Sequence, residues 1–136
     1  MKRLAILFAF LAITATASAS NVTVVATNFS DYGKGMVCVV DPSINGQFQN
    51  LFHASDFNTD RTSRTSAAKL LGFFTDGKNA INGDCYSLPA SGTGTVPIPD
   101  RDDVYVVTIL VANDGSKAYW NITDVAGGID QVVTIP

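Results

Sequence analysis

Few residues in this chain are of types that do chemistry. The sole histidine, His53, stands in the string His53-Ala54-Ser55-Asp56. Those are the residue types of a nucleophilic triad, in which a base activates a hydroxyl and a carboxylate orients the base. Adjacency along the chain is not that geometry. No G-x-S-x-G elbow occurs either, since Ser91 lies in Ala90-Ser91-Gly92-Thr93-Gly94. His53 therefore reads as a loop residue near the end of a strand. Paired-carboxylate catalysis would have to use Asp, because all 12 acidic residues are Asp. Asp56 with Asp60, or Asp100 with Asp102 and Asp103, are the groups available. Asp clusters in loops are mostly turn formers and solvating charges, so no catalytic residue is assigned.

The same carboxylates raise the question of a metal. Asp100-Arg101-Asp102-Asp103 precedes the most apolar strand of the chain, and Asp114 lies in a turn at its other end. Hard oxygen ligands in an exported β domain suit calcium. Arg101 sits among them, however, and the D-x-[DN]-x-[DN]-G loop is missing. Asp100, Asp102 and Asp103 are thus only weak calcium ligands, and no cofactor is assigned. Cys38 and Cys85 are the only cysteines. Two thiols and one His do not make a zinc site, and a redox pair would need C-x-x-C. One structural disulfide is the expectation, worth roughly 4 kcal/mol for a loop of this length.

Tyr119 and Trp120 are neighbours on an expected strand, so their side chains should point to opposite faces. One should enter the core, and the other could contribute to a sugar- or protein-binding face, which Tyr32, Tyr86 and Tyr105 could extend. Asn21, Asn28 and Asn121 each open an N-x-S/T sequon, acceptors only in a eukaryotic secretory pathway.

The elements that must position these residues read as β. Asp without Glu, together with abundant Thr, Val, Gly and Asn, favours strands and turns over helices. Strands are expected at Val22 to Phe29, Met36 to Val40, Gln47 to Phe52, Cys85 to Leu88, Val104 to Ala112, Lys117 to Ile122 and Gln131 to Ile135. Asp31 to Gly35 should break the first from the second, and Asp41-Pro42-Ser43 should stop the second. The near-continuous apolar run VYVVTILVA implies a strand buried on both faces or central in its sheet. His53 to Ser66 reads as a long polar loop, and Ala90 to Thr95 as a Gly/Ser/Thr linker. Between them Ala67, Leu70, Leu71 and Phe74 fall at helical spacing, although Leu70 to Thr75 before Asp76-Gly77 also fits a hairpin strand. A short helix ending near Gly72 is favoured. About seven or eight strands in ~115 residues predict an all-β antiparallel sandwich of immunoglobulin-like size with one disulfide. Trp120 follows both cysteines rather than lying between them, so the immunoglobulin signature is not present.

The first 19 residues carry the address. Met1-Lys2-Arg3, the apolar run Leu4 to Ile13 and Ala17-Ser18-Ala19 are the three parts of a secretory signal peptide. The run is shorter than the roughly 20 residues of a membrane anchor. Residues 1–19 are expected to be the signal and 20–136 a single domain, secreted or periplasmic. The net charge of -3 argues against nucleic acid or anionic lipid as partner. The leading expectation is a non-enzymatic exported module that binds a protein or glycan surface. A subunit that self-associates by strand exchange, with Val22 to Phe29 as donor, is the alternative. A small hydrolase using Asp carboxylates and His53 is the third.

Overall fold

The structure, a computed structural model, describes residues 20–40, 45–55, 57–74, 80–100 and 104–136. The expected signal peptide, the Asp41-Pro42-Ser43 stop, Asp56, the Asp76-Gly77 turn, Arg101, Asp102 and Asp103 lie outside them. Seven strands and two helices occur among the described residues: β1 (Ser20–Ala26), β2 (Gly33–Val40), α1 (Asn45–His53), α2 (Arg64–Phe73), β3 (Ala80–Ser87), β4 (Thr93–Ile98), β5 (Val104–Ala112), β6 (Ala118–Val125) and β7 (Gln131–Ile135).

They form two sheets, one of three strands in the order β4-β1-β7 and one of four in the order β3-β2-β5-β6. All pairings are antiparallel except β1 with β7, which is parallel. Strand alternation decides the layers. Val22, Val24, Val96, Val133 and Ile135 of the three-stranded sheet meet Val37, Val39, Val104, Val106, Leu110 and Val125 of the other in one core. The opposite face of the four-stranded sheet carries Cys38, Val40, Val107, Ile109, Ala118 and Trp120, packed under Phe48, Phe57, Leu70 and Phe74. The sandwich therefore has a helical third layer, and the four-stranded sheet is its middle. β5 runs between β2 and β6 with both faces covered, as its sequence requires.

Several expected elements are corrected. Gln47 to Phe52 is part of α1, not a strand: QFQNLF holds no β-branched residue, and Phe48 and Leu51 share a helical face toward the core. The first strand ends at Ala26, and Phe29 turns inward on a short 3-10 turn, Phe29–Asp31. The supposed breaker Gly33-Lys34-Gly35 belongs to β2, where Gly35 leaves room for Leu88, Leu110 and Phe29, whose nearest atoms would lie 2.8–2.9 Å from an added Cβ. Thr93-Gly94-Thr95 is not linker but the start of β4. Helix wins over hairpin at Leu70, in α2, whose N-terminus is capped by Ser63 accepting from the Ser66 N–H at 3.2 Å.

Cys38 and Cys85 are bonded cross-strand partners of β2 and β3, with Cα atoms 4.5 Å apart. The bridge lies within one sheet and fastens its edge strand. Its loop encloses both helices, so it clasps the base of the helical layer. A Cys38→Ala/Cys85→Ala variant should lose about 2–4 kcal/mol in urea unfolding. Thr108 is 1 % exposed on the sandwich side of β5, and its hydroxyl finds no partner among the described residues. A buried unpaired hydroxyl costs free energy that a methyl does not, so Thr108→Val should raise stability by about 1 kcal/mol in the same assay.

Candidate functional site

Among the described residues, the helical layer does not cover the whole of its sheet. α2 has ten residues and lies over β5 and β6. On the β2 side this leaves a cleft of about 490 Å³, within the range of ligand sites. Met36 and Lys34 of β2, Ile109 and Val111 of β5, Leu71 of α2 and Ser87 of β3 line it. Register explains the set: Lys34 pairs with Val111, and Met36 with both Ile109 and Ser87, so all five project on one face. Met36, Leu71 and Val111 are half-buried, whereas Lys34 and Ser87 are exposed at the rim. The floor is thus aliphatic and thioether, with one cation and one hydroxyl at the border. β3 is the edge strand beside it, so backbone groups adjoin the apolar floor.

The loop between the helices holds the layer on the sheet. Phe57 is buried and meets the Trp120 ring edge-on, centroids 5.3 Å apart. The Asp60 carboxylate accepts from the Thr62 N–H at 2.9 Å and the Thr62 hydroxyl at 2.8 Å, forming an Asx turn. That turn presents two carbonyls to Trp120. The indole Nε1–H donates to the Asp60 carbonyl at 3.0 Å, and the Trp120 main-chain N–H donates to the Arg61 carbonyl at 2.9 Å. The Arg61 guanidinium stands over the indole, 5.4 Å from its centroid, and donates to the Asn121 Oδ1. Ser66, fully buried, donates to the Asn58 carbonyl and accepts from the Asn58 N–H. Residues 57–63 of the segment read as a long polar loop are therefore held by these contacts and lead into α2 at Arg64.

Tyr119 and Trp120 do point to opposite faces. Trp120 is 5 % exposed under the helical layer, and Tyr119 is partly buried against the sandwich core. Tyr32 and Tyr86 join Tyr119 there, while Tyr105 lies on the helical side, 5.8 Å from Phe48. The four tyrosines do not form one surface. Burial raises the Tyr32 phenol pKa above its ordinary value, with Asp31 and Tyr119 adding to the effect. His53 is the exposed last residue of α1 rather than the end of a strand, and Asp56 lies outside the described residues. Asp100 abuts Gly128, whereas Asp114 caps its own turn by accepting from the Ser116 N–H at 2.9 Å, at the far end of β5. No group of three His, Cys or Asp side chains that could hold a metal occurs among the described residues. Asn21 and Asn28 are exposed, but the Asn121 Nδ2, the atom a glycan would occupy, donates to the Thr123 hydroxyl at 2.8 Å.

The chain is thus a disulfide-clasped β-sandwich with a helical cover that leaves an apolar cleft open. Comparison with protein-family models, curated proteins and solved structures finds no match. The cleft was not legible beforehand. Its lining comes from four elements, and only the helical spacing at Leu71 and the two-faced apolarity of β5 hinted at it.

Hydrogen bonds from Thr62, its backbone N–H first and its hydroxyl second, lower the pKa of the Asp60 carboxyl. A lowered folded-state pKa contributes stability above the unfolded carboxyl pKa, and that contribution is lost as pH falls through the folded value. The gap in urea midpoint between the wild-type protein and Asp60→Ala should therefore be widest near neutrality. It should narrow below pH about 4, as the carboxylate protonates.

Proposed function

We propose that this is an exported, non-enzymatic binding module that takes an extended apolar segment of a protein partner at the cleft beside β3. The observation that carries it is the aliphatic floor of Met36, Leu71, Ile109 and Val111 adjoining an edge strand. Strand addition at an edge supplies main-chain hydrogen bonds, while pockets for alternate side chains supply selectivity. A glycan face would call for exposed aromatic rings. Here the large exposed apolar residues among those described are aliphatic, Ile129 and Val132. The protein half of the expectation is therefore favoured over the glycan half.

Export is supported by the three-part signal sequence of residues 1–19 and by the Cys38–Cys85 disulfide, which persists in an oxidising compartment. No helix among the described residues is long and apolar enough to cross a membrane. Strand exchange by Val22 to Phe29 is less favoured. β1 pairs on both sides, with β4 and β7, and releasing it would open its whole sheet.

The test is selection from a displayed peptide library, with a glycan array alongside. Selected peptides should carry apolar residues at alternate positions, and Val111→Asp should weaken their binding at least about tenfold. Peptides indifferent to Val111→Asp and Met36→Lys, or glycan binding that ignores both, would dismiss the cleft as the site.

A further inference from the structure

The edges of the two sheets are guarded unequally. At the start of the β1–β4 ladder the Ala26 N–H donates to the Gly92 carbonyl at 2.8 Å, which sets the alternation of that ladder. Pro97 then falls at an outward position, so its missing N–H blunts the β4 edge. β6 is guarded at Trp120, whose outward N–H is already taken by Arg61. β3 is the edge assigned above to the peptide partner of the cleft.

β7 carries no guard. Gln131–Ile135 (QVVTI) has no charge, no proline and no bulge, and among the described residues it pairs with β1 alone. The Ile135 carbonyl accepts from the Thr27 N–H at 2.9 Å, so Ile135, Val133 and Gln131 turn their backbone groups toward β1. The N–H and C=O groups of Val132 and Thr134 therefore face outward. Val132, 67 % exposed, and Ile129, 57 % exposed, stand beside this edge.

We propose that β7 is the self-association edge of the protein, and that its partner is the β7 of a second copy, antiparallel, about a two-fold axis through Val133. In that register Val132 of each copy lies opposite Thr134 of the other and exchanges two main-chain hydrogen bonds with it. The pairing is isologous and joins the two three-stranded sheets into one of six. Charge selects a second copy over a charged partner. The chain is net acidic, so most of its surface repels itself, but β7 and the neighbouring outer-face residues Thr23, Val25, Thr93 and Thr95 are uncharged. The carboxylate of Asp130, the residue before β7, accepts from the Asn21 N–H at 2.8 Å. A five-residue edge falls at the small end of specific interfaces, so the association is expected to be reversible.

The experiment is sedimentation equilibrium of the disulfide-bonded protein over rising concentration, paired with amide hydrogen exchange. A reversible dimer should form, and the Val132 and Thr134 amides should gain protection with concentration while those of Val133 and Ile135 are protected throughout. Val132→Lys, at an exposed site, should keep the fold by circular dichroism and weaken the dimer at least about tenfold. A monomer at every concentration would overturn the assignment. So would a dimer indifferent to Val132→Lys, or concentration-dependent protection confined to β3 and the cleft. The last result would also place association at the peptide site, so the two surfaces are tested apart.

Discussion

The whole arrangement depends on a strand that has no face to give to water. β5 buries Val104, Val106 and Leu110 on one side and Val107 and Ile109 on the other. A sheet built on such a strand needs two covers, since leaving either face bare would return several large side chains to solvent, at roughly 1.5–3 kcal/mol each. One cover is the three-stranded sheet. The other is the pair of helices, which the chain inserts between β2 and β3. Everything else about the molecule follows from how well each cover fits, and among the described residues the helical one leaves the stretch of β2 around Lys34 and Met36 open.

That insertion explains the place of the disulfide. Strands β2 and β3 are adjacent in the sheet but separated by 47 residues between their cysteines. Closing a long loop costs chain entropy that short hairpins such as β5–β6 largely avoid. The Cys38–Cys85 bond removes much of that cost, and it does so at the strand pair that closes the helical excursion. Cys38 itself lies in the core under the helices, so β3, the helical layer and the rim of the cleft share one covalent support.

The sequence showed what is periodic and hid what is assembled. VYVVTILVA announced a two-faced central strand, and the lone cysteine pair announced its bridge, because each signal is local. QFQNLF misled because Phe48 and Phe52 satisfy both a period of two and a spacing of i and i+4, and over six residues the two cannot be told apart. The absence of Val, Ile and Thr was the better guide. Thr93 to Thr95 read as the end of a linker, with Gly94 among them, and no strand was expected on through Pro97. Yet Gly94 and Pro97 each occupy a position where an edge strand tolerates them. The third layer was invisible for a different reason. Phe57 and Trp120 lie far apart in the chain, and only the Asp60 turn, with its two carbonyls aimed at Trp120, makes them neighbours.

The two proposed surfaces do not compete for space. The cleft opens on the helical side of the four-stranded sheet, and β7 is an edge of the other sheet, across the sandwich core. Under the proposed pairing, two copies joined through β7 would keep both clefts open and at a fixed separation. Each cleft is small and bordered by one exposed cation, Lys34, so a single site makes a modest contact. Two sites on one rigid support turn the second binding event into an intramolecular one. The gain depends on the spacing of segments on the partner rather than on any new contact. Under the two proposals, a weak edge and a small cleft reinforce each other wherever a partner repeats its segments at the matching spacing.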